Sequence, residues 1–272
     1  MNKDFTIIDK CLLIIGKRHS GKSNLTHHLL SYYSKNFHKV YVASGTERVN
    51  KFYTKSGLIP QECIYESYSE EWGQSLIDGL ERENSGLDRN SQKTVLLILD
   101  DLITTTNFHS SKTIEYFFTC SRHAALSVIV ISQHINKVSP TIRDNSDYIL
   151  VAQQNAESVK LLSSIYRSGK ITSKEYTTLY EDSTENYHFF VINCNSIKNK
   201  NNINELYGKI KAPVPSYKIV QEVIEKKKIV MKDDDSWGAL FSDKKIRTTE
   251  IEKITIEKKV LVVVKPYIQN VV

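Results

Sequence analysis

The sequence predicts a three-layer α/β fold with a mostly parallel central sheet and a C-terminal extension, and three observations carry that prediction. A short apolar run, Cys11-Leu12-Leu13-Ile14-Ile15, leads directly into Gly16-Lys17-Arg18-His19-Ser20-Gly21-Lys22-Ser23. That is G-x-x-x-x-G-K-S between a strand and a helical pattern, the context a phosphate-binding P-loop requires. A second apolar run, Thr94 to Leu99, closes on Asp100 and Asp101. Such continuous runs suit strands buried on both faces of a parallel sheet. Further apolar runs then alternate with stretches of helical periodicity.

At 272 residues the chain has room for one large domain with an appendage. A domain over residues 1–212 and an extension over 213–272 are expected, with Pro213 and Pro215 marking the boundary. Net charge is +6, a weak pointer to an anionic partner. The four cysteines, Cys11, Cys63, Cys120 and Cys194, form no C-x-x-C pair, which disfavours zinc and suits a reducing compartment. Asp4, Asp9 and Lys10 interrupt any signal-type apolar segment before the first strand. No apolar stretch is long enough to span a bilayer. A soluble intracellular protein is expected.

In chain order, the first strand ends at a loop whose Gly16 and Gly21 allow backbone angles and close approach that other residues forbid. Successive N–H groups from Gly16 to Asn24 can then meet phosphate oxygens at a helix N-terminus, where the dipole also favours anions. Lys22 is placed to reach the β- and γ-phosphates, and the Ser23 hydroxyl to ligate Mg²⁺. Leu25, Leu29, Leu30 and Tyr33 predict a helix to about Lys35. Val40 to Ala43 predicts the next strand. Glu47 to Lys93 carries little signal apart from a helix over Trp72 to Leu80 and an exposed loop from Asn84 to Gln92.

After the strand Thr94 to Leu99, Asp100 is the candidate Mg²⁺ ligand, partly through water, and Asp101 the carboxylate that orients attacking water. Acid pairs at strand ends also serve turns and helix caps. Thr104 to Lys112 is polar without periodicity. A helix capped near Ser111, with Ile114, Phe117 and Phe118 facing the core, leads to Ser121-Arg122-His123 and a buried strand, Leu126 to Ile131. Gln133 follows at the carboxyl end of that strand, the ligand edge of a parallel sheet. It is placed to sense a γ-phosphate or position water, or else to cap a helix. Strands at Tyr148 to Ala152 and Tyr187 to Asn193 flank helices at Glu157 to Tyr166 and Ser173 to Tyr180. Asn195 to Asn204 reads as a polar loop. Beyond the prolines come a helix at Tyr217 to Lys228, a charged linker holding Trp237-Gly238-Ala239-Leu240-Phe241, and a strand at Val260 to Val264.

The order G-K-R-H-S-G-K-S, L-L-I-L-D-D, C-S-R-H, V-I-V-I-S-Q-H and Pro140-Thr141-Ile142-Arg143 resembles that of the genome-packaging ATPases of large eukaryotic DNA viruses and virophages. These are a branch of the FtsK/HerA superfamily, and the likeness covers roughly residues 5–195. It implies a RecA-like fold with an additional catalytic strand, so that the strand bearing Gln133 lies between the P-loop strand and the Asp100 strand. It also implies ATP and Mg²⁺ as cofactors, a homo-oligomeric ring with sites between subunits, double-stranded DNA in its channel, and a capsid or portal-vertex partner. The host cytoplasm or viral factory, or the virion itself, is the implied location. Arg122 matches the position of an arginine finger acting in trans; from the residues alone, it equally suits a local ion pair. Two departures stand out: the second acid is Asp101 where the cellular pumps carry Glu, and the tail after Pro213 lies outside the likeness.

For DNA contact the sequence offers dispersed cations, Lys112, Lys137, Arg143 and the Lys198/Lys200 loop, with no concentrated patch. Two other functions remain open. A nucleotide kinase should show an Arg-rich lid, and the stretch after Gln133 is Arg-poor. A nucleotide-gated capsid or DNA adaptor would bind ATP with little hydrolysis, and Asp101 with Gln133 speaks against it.

Overall fold

The computed structural model describes residues 5–102, 111–195 and 203–213. In chain order the elements are β1 (Cys11–Ile15), α1 (Lys22–Tyr33), β2 (Lys39–Ser44), α2 (Glu47–Asn50), α3 (Phe52–Ser56), β3 (Ile64–Tyr65), α4 (Glu70–Asn84), β4 (Val95–Asp100) and α5 (Lys112–Thr119). They continue with β5 (Leu126–Ser132), α6 (Pro140–Asp144), β6 (Tyr148–Val151), α7 (Ala156–Tyr166), α8 (Ser173–Ser183), β7 (His188–Asn193), α9 (Ile203–Leu206) and β8 (Tyr207–Lys211).

Among the described residues the strands form one sheet in the order β3-β2-β4-β5-β1-β6-β7-β8. The first six are mutually parallel, and β7 and β8 add in antiparallel fashion at one edge. The fold is that of the mostly parallel three-layer class the sequence predicts, and β5 lies between β1 and β4 as the resemblance implied.

Every residue of β1 and β5 is buried, so both faces of the sheet are covered. The period of two in a strand then divides the apolar side chains between two cores. Leu12, Ile14, Leu96, Ile98, Ile129 and Ile131 pack with Leu25, Leu29 and Leu30 of α1 and with Tyr53 of α3. Leu13, Ile15, Leu97, Leu99, Val128 and Val130 pack on the other face with Ile77 of α4, Phe117 of α5, Leu162 of α7 and Tyr176 of α8. Each such aliphatic side chain contributes about 1.5–3 kcal/mol by leaving water.

The parallel register brings three strand ends level. Ile15 pairs with Ser132, and Asp100 with Ile131. The Gly16 N–H donates to the Ser132 carbonyl at 3.1 Å, and the Asp101 N–H to the Ile131 carbonyl at 3.2 Å. The residues following β1, β4 and β5 therefore emerge side by side.

Several boundaries differ from the sequence reading. α1 starts at Lys22, inside the P-loop motif, because Gly21 in the left-handed region serves as its cap. Pro140 to Arg143, for which periodicity gave no element, lies in the short helix α6, with the Ser139 side chain capping it and proline at its start. The segment after Glu47 holds α2, α3 and β3, and Ile203 and Asn204 begin α9, which β8 follows. The expected extension beyond Pro213, most of the Thr104 to Lys112 stretch and the Lys198/Lys200 loop lie outside the described residues.

Candidate functional site

The loop between β1 and α1 is shaped by its glycines. A Cβ on Gly16 would overlap the Ser20 Oγ and press on Ala152 Cβ and Lys22 Cγ at 3.1 Å. Gly21 has φ 92°, a conformation L side chains rarely adopt, and a Cβ there would meet Ala212 Cβ at 3.1 Å. No side chain caps α1, so its first-turn N–H groups remain available to an anion. They border a cleft of about 450 Å³ lined by His19, Ser20, Gly21, Lys22, Ser23 and Asn24 together with Tyr187, Ala212 and Pro213. The Ser20 Oγ is buried without a hydrogen-bond partner, a donor unused by the protein itself. Lys17, Arg18 and His19 are exposed at the rim.

Lys22 folds back onto its own loop. Its Nζ donates to the Gly16 carbonyl at 2.5 Å and the Lys17 carbonyl at 2.9 Å. Burial lowers its pKa, while the carboxylates of Asp100 and Asp101 act in the opposite direction. An ammonium held only by carbonyls and facing two carboxylates is well placed to turn to a phosphate.

Across from Lys22, burial pushes the Asp100 carboxyl up to about 6; the Tyr53 hydroxyl bond opposes the rise and neighbouring Asp101 adds to it. Tyr53, fully buried, donates its hydroxyl to Asp100 Oδ2 at 2.9 Å. Burial beside that carboxylate raises the tyrosine pKa well above its usual range, so the hydroxyl remains a donor. Glu47, 3 % exposed, holds Tyr53 in turn by accepting from the Tyr53 and Thr54 N–H groups at 3.1 and 2.9 Å. Asp101 sits at φ 54°, uncommon for a residue other than glycine. Gln133 Nε2 donates to both of its carboxylate oxygens at 3.2 Å. Strain of this kind concentrates at functional positions, where the surroundings enforce it.

Lys22, Asp100, Asp101 and Gln133 are thus brought together, with Ser23 and Asn24 at the adjoining helix start. Sequence reasoning missed Glu47 and Tyr53. Neither lies in a periodic pattern; the available signal was their position just after a strand end, on the ligand edge of the sheet.

Arg122 is placed elsewhere. Its Nη2 pairs with Asp147 Oδ1 at 2.5 Å, and Lys10 Nζ approaches the same oxygen at 3.4 Å. Asp147 Oδ2 accepts from the Cys11 N–H at 2.8 Å, where β1 begins. This is the edge of the sheet opposite the P-loop, about 16 Å away along a five-residue strand. Of the cations proposed for DNA contact, Lys112 and Lys137 are exposed and Arg143 is half-buried.

Among the described residues no group of three or more His, Cys, Asp or Glu side chains can hold a metal ion. Ser23 and Asp100 fit the sparser set that Mg²⁺ uses beside a nucleotide, one or two protein oxygens completed by phosphates and water. No described helix is long and apolar enough to cross a membrane.

The sequence matches the family described as Poxvirus A32 protein over residues 2–234. It is 27 % identical over 192 residues to the uncharacterised protein 015R of frog virus 3, which covers 69 % of this chain and 58 % of that protein. With the uncharacterised protein 075L of invertebrate iridescent virus 6 it shares 32 % over 146 residues, 54 % of this chain and 55 % of that one. The chain thus spans a little over half the length of these relatives. Among solved structures it is similar to the genome-packaging NTPase B204 of Sulfolobus turreted icosahedral virus 2 in complex with AMP, at TM-score 0.55 and 18 % identity, over 77 % of this chain and 100 % of that one. The same protein with AMPPCP gives 0.51 and 16 %, over 76 % and 99 %. At such identities the likeness establishes a shared fold.

Proposed function

This chain belongs to the poxvirus A32 protein family, and we propose that it hydrolyses ATP to drive double-stranded viral DNA into a preformed capsid. The observation that carries the proposal is the meeting, at the carboxyl ends of three adjacent strands, of a phosphate cradle after β1, paired acids at β4 and an amide after β5. Similarity to the genome-packaging NTPase B204 supports assigning this machinery to DNA packaging.

In this reading the N–H groups of residues 16–24 hold the phosphates. Lys22 leaves the Gly16 and Lys17 carbonyls for the β- and γ-phosphates, where its charge counts most as the phosphoryl group transfers. Ser23 and Asp100 hold Mg²⁺, which when bound neutralises charge on the phosphate oxygens. Asp101 orients the attacking water and accepts its proton, while Gln133 fixes that carboxylate and contacts the γ-phosphate. Arg122 of a neighbouring subunit completes the site. The protein forms a ring around DNA, engages a capsid or portal-vertex protein, and acts in the host cytoplasm or viral factory or on the virion.

ATP hydrolysis measured with and without duplex DNA tests the proposal. Strong stimulation by DNA is expected, with a loss of about 10²–10³ in rate for Lys22→Ala at unchanged fold. Wild-type rates in that variant sink the site assignment. Phosphoryl transfer to a nucleotide identifies a kinase, and nucleotide binding without turnover identifies an adaptor.

A further inference from the structure

The lining of the P-loop cleft contains, beside the phosphate cradle, a residue that the fold alone does not favour. The turn Glu185–His188 enters β7, closed by the His188 N–H donating to the Glu185 carbonyl at 3.0 Å. Both central residues have positive φ, Asn186 at 51° and Tyr187 at 62°. Turns with two such residues favour Asn followed by Gly, because a side chain in the left-handed region crowds its own backbone. A tyrosine there is uncommon, and folding rewards it little, since the residue is 58 % exposed. The ring instead reaches toward the P-loop: its Cδ1 lies 3.5 Å from where a Gly21 Cβ would stand. Neighbouring Ala212 is tied in by its N–H donating to the Tyr187 carbonyl at 2.9 Å. Together Tyr187, Ala212 and Pro213 line the cleft beside the α1 N-terminus.

We infer that Tyr187 is the base-stacking residue of the site and that the cleft takes a nucleoside triphosphate, with its base on the Tyr187 ring. The inference rests on the phosphate-binding reading above and extends it to the other end of the ligand. A triphosphate on the residue 16–24 amides leaves a flat aromatic group to be accommodated nearby, and an exposed ring at the cleft wall is the surface that chemistry favours. Volume agrees, because about 450 Å³ lies within the range of small-molecule sites. Strain retained at an exposed aromatic is explained when the ring serves a ligand. Stacking accepts any base plane, so affinity is gained here with little choice between adenine and guanine.

The test compares calorimetric titrations of Mg²⁺-ATP and of inorganic tripolyphosphate with Mg²⁺, without DNA, on wild type, Tyr187→Gly, Tyr187→Phe and Lys22→Ala. Glycine suits φ 62°, so Tyr187→Gly should melt no lower than wild type, and a binding defect cannot be attributed to the turn. Its ATP affinity should fall about tenfold while tripolyphosphate affinity stays within about twofold. Tyr187→Phe, which keeps the ring, should bind ATP as wild type does. Lys22→Ala should weaken both ligands. Unchanged ATP affinity in Tyr187→Gly, or an equal loss for both ligands, overturns the base-stacking role. If Lys22→Ala binds both ligands normally, the phosphate reading fails and the base site falls with it.

Discussion

Asp100 illustrates how one side chain can be held ready by its surroundings. Its carboxyl is half-buried at the end of β4, beside a second acid, and among the described residues the Tyr53 hydroxyl and the more distant Lys22 favour its ionised form. The balance raises its pKa from 3.8 to about 6. Between those values the folded state binds more protons at this position than the unfolded chain, so stability falls as pH rises. The contribution is fully present below about pH 4 and lost as pH passes about 6, with a total of about 3 kcal/mol. Urea unfolding without nucleotide or divalent ions should show this slope in wild type. In Asp100→Asn, which keeps an oxygen for Tyr53, the slope should flatten; equal slopes would mean that another group titrates in this window. Much of this site was legible residue by residue, because a polar group ending an apolar strand has few structural uses. Asp100, Asp101 and Gln133 stand in that position, and Lys22 was legible from the G-x-x-x-x-G-K-S spacing. Glu47, Tyr53 and Tyr187 were not legible as site residues, since their roles arise from contacts across segments without periodicity and, for Tyr187, from a backbone angle.

At the scale of elements, the buried parallel strands were readable because burial on both faces leaves an unbroken apolar run. β8 was not legible: Tyr207-Gly208-Lys209-Ile210-Lys211 is short, alternating and half polar, as suits a strand that among the described residues pairs with β7 alone. Helices with caps were equally readable. α5 is fixed at its start by Ser111, whose Oγ accepts from the Ile114 N–H at 3.1 Å and lies 3.1 Å from the Thr113 hydroxyl. The hydroxyls of Tyr68 and Thr113 also pair there, tying the start of α5 to the chain before α4. Phe117 and Phe118 on the same helix enter the core. Removing the cap should therefore weaken both helix and packing. Ser111→Ala is expected to lower stability by about 1–2 kcal/mol, whereas Ser111→Asp, which restores an acceptor, should recover part of it. Chemical denaturation measures both. An undiminished Ser111→Ala protein would show that packing of the two phenylalanines alone fixes this helix.

For the whole molecule, the position of Arg122 constrains how the proposed motor is assembled. Held by Asp147 at the start of β1 and β6, this guanidinium lies at the sheet edge away from its own P-loop. It cannot serve that site, yet its side chain is 60 % exposed while its partner is 2 % exposed. A residue needed only to neutralise Asp147 has Lys10 as a second cation beside it. The proposed ring gives Arg122 a task, because a neighbour's site can receive a charge its own chain cannot supply. On that basis Arg122→Ala should bind ATP normally, keep its melting temperature within a few degrees, and lose roughly 10³–10⁵ in DNA-stimulated hydrolysis. Mixing it with Lys22→Ala subunits then separates a trans role from a local one. Some interfaces in the mixture pair an intact P-loop from the first variant with an intact Arg122 from the second, so activity should partly return when both are combined with DNA and ATP. Activity equal to wild type in Arg122→Ala alone would confine the residue to its ion pair with Asp147. A dead variant that mixing fails to rescue, despite demonstrated co-assembly, would point to a role within its own subunit or to firing that requires every site in the ring.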